Sequence, residues 1–87
     1  MSKYYDPAFA RVVRKLRTEI PLGVPVRIQT AVKLPGDSHA DCTPYFVGDK
    51  PVAFRIRVRR GQPIDSAIDC LIHEYAHALD RVLPHKM

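Results

Sequence analysis

Between residues 52 and 59 apolar and polar side chains alternate without a break: Val52, Phe54, Ile56 and Val58 against Ala53, Arg55, Arg57 and Arg59. A period of two with arginines on one side describes a strand whose apolar face is covered and whose other face meets water. An all-helical fold is excluded by this segment, and so is a strand buried on both sides. The rest of the chain must supply the cover.

Two amphipathic segments can do so. Asp6-Pro7 is a helix start, with Asp accepting free amide hydrogens of the first turn and Pro fitting the first helical position. Phe9, Val12, Val13, Leu16 and Ile20 follow at helical spacing, with Arg11, Arg14, Lys15 and Arg17 on the other side, which predicts a helix over Pro7–Glu19. Near the other end, Ile68, Leu71, Ile72, Tyr75, Leu79 and Val82 form one apolar stripe; Asp65 or Ser66 caps the start and Pro84 closes it. Between the helices, Val26, Ile28, Thr30, Val32 and Leu34 alternate with Arg27, Gln29, Ala31 and Lys33 as a second strand. Pro35-Gly36-Asp37-Ser38 ends it, and the segment through Pro44 has the composition of a loop. Tyr45-Phe46-Val47 is a short β-rich run, joined to the 52–59 strand by the turn residues Gly48-Asp49-Lys50-Pro51. The expectation is one α+β domain over residues 1–87: a small, mostly antiparallel three-stranded sheet with both helices on one face.

Eighty-seven residues suffice for one modest core. No stretch approaches the ~20 apolar residues of a membrane span. The first residues lack the apolar centre of a signal peptide, and Cys42 and Cys70 are too few for a disulfide scaffold; both point to the cytoplasm. The formal net charge of +5 makes polyanions a class of partner to test.

Chemistry concentrates on the last helix, in His73-Glu74-Tyr75-Ala76-His77. Histidines four apart lie one turn apart on a helix, so both imidazoles can reach one tetrahedral metal ion. Glu74 is rotated to the side, where a carboxylate can hold a zinc-bound water and take its proton. Both histidines point roughly away from the apolar stripe, towards a cleft or bulk solvent. Chance yields H-E-x-x-H in a chain of this length on the order of a few times in a thousand. Glu19 and Glu74 are the only glutamates, and one of them falls inside the motif.

The run from Ala67 through the motif to Asp80, with the arginine-rich strand and Gly/Pro turn before it, resembles the active-site region of small SprT-like zinc metallopeptidases, phage-encoded ones included. The likeness covers residues 52–83, and H-E-x-x-H itself is common to all zincins. The resemblance implies a minimal zincin-like fold, Zn2+ held by His73 and His77, Glu74 as catalytic base, and hydrolysis of peptide bonds. It also implies a third protein ligand beyond the motif. The extended metzincin spacing would place it at Leu83, which excludes that variant. His85, just past Pro84, is the downstream histidine available. Asp80, the His39/Cys42 pair, and a site left incomplete by shortening are the alternatives.

In zincins a substrate peptide lies along an edge strand above the metal helix, and the 52–59 strand is the expected edge, with Tyr45 a possible oxyanion donor. Arg55, Arg57 and Arg59 share a strand face, joined by Arg60 at its end. If Arg27 and Lys33 lie on that side too, the surface suits a DNA backbone, and SprT-like proteins act on DNA-bound proteins. The competing function is a catalytically incomplete zincin-like module that binds nucleic acid or protein through this basic face.

Overall fold

The computed structural model describes residues 6–83. Helix α1 (Pro7–Glu19) starts as its sequence dictates: the Ala8 N–H donates to Asp6 Oδ1 at 2.7 Å, and Pro7 occupies the first turn. Strands β1 (Val26–Ala31), β2 (Ala40–Val47) and β3 (Lys50–Arg59) follow, then helix α2 (Ile64–Val82). The architecture is α+β, with the sheet ordered β1-β3-β2.

The sheet is mixed: β2 and β3 run antiparallel, whereas β1 lies parallel to β3. A two-residue turn at Gly48-Asp49 makes β2 and β3 neighbours, and Gly48 supplies the positive φ (62°) that such turns need. Strand β3 therefore takes the centre, which corrects the expectation that it forms an edge. The physical reason is burial. β3 supplies three buried apolar residues, Phe54, Ile56 and Val58, against Ile28 alone from β1 and none from β2, and the centre is where all three can be covered.

Three local expectations also change. β2 begins at Ala40, five residues before the β-rich run at Tyr45, because pairing with β3 outweighs the loop-like composition of 40–44. β1 stops at Ala31; Val32 is 78% exposed, while Leu34 beyond it is buried at 2%. Neither Asp65 nor Ser66 caps α2. Pro63 holds the N-cap position without a side-chain bond, and Asp65 lies in the first turn, where its charge favours the helix dipole.

A single core joins the layers: Phe9 and Val13 of α1, Ile28 of β1, Phe54, Ile56 and Val58 of β3, and Ala67, Leu71, Tyr75 and Ala78 of α2. The small residues Ala67 and Ala78 let α2 approach the sheet closely. Tyr75 ties the two helices, its phenol donating to Ile20 O at 2.6 Å, a carbonyl at the end of α1. Ile72, expected in the apolar stripe, is 45% exposed and lines a shallow groove with Val12, Leu16 and Ile20.

Candidate metal centre

With Leu71, Tyr75 and Ala78 against the sheet, helical geometry turns His73 and His77 outward, and both are exposed. Their Nε2 atoms approach to 2.9 Å, with the rings perpendicular and their centroids 4.4 Å apart. Which nitrogen donates and which accepts depends on the tautomer. Two imidazoles on a tetrahedral zinc place their nitrogens about 3.3 Å apart, given Zn–N bonds of ~2.0–2.1 Å. A small opening of the pair meets that requirement.

Glu74 lies on the flank of α2 that faces β2. Its presence there is felt by both thiols. Cys42 is pushed up to about 11, first by burial and then by the Glu74 carboxylate, with Arg81 acting in the opposite direction. Cys70 is also raised, by burial and then by Glu74. Both cysteines are free and half-buried, so they are neutral thiols at ordinary pH.

A groove of about 450 Å³ runs between the start of β2 and this flank, lined by Ser38, His39, Ala40, Asp69, Cys70, His73 and Glu74. Its sheet-side wall is β2, an edge strand. The Arg59 N–H donates to His39 O at 2.8 Å. By antiparallel alternation, the backbone groups of Ala40 and Cys42 then turn to the open edge. The edge that a peptide could join is thus β2, in a segment whose sequence looked like loop. The signal was faint: Ala40, Cys42 and Pro44 alternate with Asp41 and Thr43, but Pro and Asp are poor strand formers.

The structure brings together His73, Glu74 and His77. Among the described residues, no three His, Cys, Asp or Glu side chains converge on one point. His39 lines the same groove, but its Nδ1 lies 3.1 Å from an Arg59 guanidinium nitrogen. Cys42 is half-buried and does not line the groove, and Asp80 is exposed further along α2. His85 lies outside the described residues. Tyr45 is on the wrong side of the sheet for an oxyanion donor. It pairs with Ala53 on the face that carries Arg55 and lines a pocket with Arg27 and Arg55.

That outer face holds Arg27, Arg55, Arg57 and Arg59 as expected, with Arg27 directly opposite Arg55. Lys33 falls beyond β1. Arg57 is chelated by Asp41, Nε to Oδ1 at 3.0 Å, and this hydrogen bond raises its already high pKa. Arg60 donates to Thr30 Oγ1 at 3.0 Å.

No protein family, curated protein or solved structure matches the chain. No helix among the described residues is long and apolar enough to cross a membrane.

Proposed function

We propose that this protein is a zinc-dependent metallopeptidase in which His73 and His77 hold the metal and Glu74 is the general base. The observation that carries the reading is the convergence of the two Nε2 atoms, 2.9 Å apart, on an exposed helix face beside a groove with an edge strand as its wall. The H-E-x-x-H spacing, on which the resemblance to SprT-like zincins rests, supports it. Zinc bound there supplies a Lewis acid that makes water nucleophilic near neutral pH.

The chain's own residues do the rest. Glu74, one position past the first histidine, takes the proton of the attacking water and passes it to the leaving amine. The open edge of β2 at Ala40 and Cys42 aligns an extended peptide through backbone hydrogen bonds, which do not depend on the substrate's sequence. His85 is the proposed third ligand, with Asp80 and the His39/Cys42 pair as alternatives. A cytoplasmic setting suits the two free thiols.

The test has two stages. Protein purified without added metal or chelator should carry about one zinc per chain, lost in His77→Ala, as three protein ligands of a catalytic site require. Cleavage of a disordered reporter protein should then vanish in Glu74→Gln while zinc stays bound. Cleavage that survives this substitution refutes the mechanism.

A second reading keeps the framework without the catalysis. It is favoured by the basic outer face of the sheet, where Arg27 lies directly opposite Arg55. In that case zinc binds weakly or not at all, and His85→Ala changes nothing.

A further inference from the structure

Charge pairing sorts the arginines of the sheet into two groups. Arg57 is held by Asp41, Arg59 lies against His39, and Arg60 bonds Thr30. Arg27 and Arg55 are different. They sit directly opposite each other on the parallel strands β1 and β3, and neither side chain has an ion-pair or hydrogen-bond partner among the described residues. Arg55 is half-buried, and its Nε is shut off from water with nothing to donate to.

Two like charges side by side on a sheet repel, and a buried donor without an acceptor is costly. The repulsion disappears if an anion bridges the two guanidiniums. The local shape provides for one. Arg27, Arg55, Gln29 and Tyr45 line a concavity of about 330 Å³, a size suited to one small ligand. Asp41 is the carboxylate of this face, and it is committed to Arg57. Tyr45 stands on β2 diagonally across from Arg55 and is 45% exposed, so its ring is open to stacking.

We infer that Arg27 and Arg55 form a phosphate site and that Tyr45 stacks the attached base, so that the outer face binds an unpaired nucleotide. Paired guanidiniums match phosphate oxygens in bidentate geometry, and an exposed aromatic ring on an open sheet face selects a base free of a duplex. The site lies on the opposite face of the sheet from α2 and does not rest on the zinc reading. The phosphate can come from a free mononucleotide or from a single-stranded nucleic acid, which share this chemistry.

The experiment measures binding of a fluorescent single-stranded oligonucleotide by anisotropy, with AMP, inorganic phosphate, a DNA duplex and a polyglutamate peptide as competitors. Arg27→Gln and Tyr45→Ala should each weaken oligonucleotide binding about tenfold, the scale of one stacked base. Arg27→Gln should also lower the log–log salt slope by about one. Arg55→Lys keeps the charge and the aliphatic stem but not the fork, so it should fold and still bind more weakly. Arg60→Gln, whose partner is Thr30, should change binding by less than about twofold, as a rim charge does. Full competition by AMP assigns the site to a free nucleotide; competition by long single strands alone assigns it to nucleic acid. His77→Ala should bind as the parent does, which separates this site from the metal centre.

Several results would overturn the inference. They are equal losses in Arg60→Gln and Arg27→Gln, a duplex that outcompetes the single strand, displacement by polyglutamate in preference to either, or no binding at low salt.

Discussion

Leu71 and His73 are two residues apart on α2 and face different worlds. Leu71 is fully buried against the sheet, whereas His73 lies in solvent beside a groove. The same division runs through β3, where Phe54, Ile56 and Val58 are buried at 0–2% and Arg55, Arg57 and Arg59 lie on the opposite side. Stability is concentrated in one layer, between the inner sheet face and the helices. The groups with chemistry line the outside of that layer, where altering them costs the fold little.

Substitutions across α2 test this division most directly. The largest effect expected is on catalysis: Glu74→Gln should lower kcat by at least about 10²–10⁴-fold, with the Tm of the metal-free protein unchanged. Leu71→Ala should cost about 2–5 kcal/mol of unfolding free energy, measured by urea titration, and lower Tm by about eight degrees or more at about 4–8 °C per kcal/mol. His73→Ala, two positions away, should abolish zinc uptake yet move metal-free stability by less than about 0.5 kcal/mol. A His73→Ala loss as large as that of Leu71→Ala would erase the distinction.

Smaller effects sharpen it. Tyr75→Phe removes the bond to Ile20 O and should cost about 1 kcal/mol, the net worth of a part-buried hydrogen bond. Cys42 gives a pH signature. Its folded pKa of about 11 lies above the ~8.5 of an unfolded cysteine, so its neutral thiol favours the fold. That contribution is complete below about pH 8.5 and is lost as pH rises towards 11. In the metal-free protein, Cys42→Ala should therefore flatten the alkaline fall in Tm over that window. The smallest effect belongs to Asp41→Asn. A part-exposed pair contributes under about 1 kcal/mol, so stability should barely move. Freed from Asp41, Arg57 should raise oligonucleotide affinity by about threefold through one more phosphate contact.

Local chemistry was legible in most places where one element decided the outcome, the cap of α2 at Pro63 being the exception. Asp6-Pro7 set the start of α1, the alternation of 52–59 set β3, and the four-residue spacing set the histidine pair. Where two elements had to meet, the sequence was silent or misleading. Ala40–Val47 became an edge strand because β3 was there to pair with it, despite Pro44 and Asp41. Ile72 lies at a helical position that suits the apolar stripe, yet α1 covers only part of it.

Sequence alone determined the two-faced strand, the two amphipathic helices and the H-E-x-x-H geometry, because each depends on the period of a single backbone conformation. Tertiary structure decided which strand is central, that β2 rather than β3 walls the groove, and that Tyr45 stands with the arginines instead of near Glu74. Those outcomes depend on long-range pairing. Register assigns each side chain to a face, and burial of Phe54, Ile56 and Val58 between β1 and β2 selects the strand order.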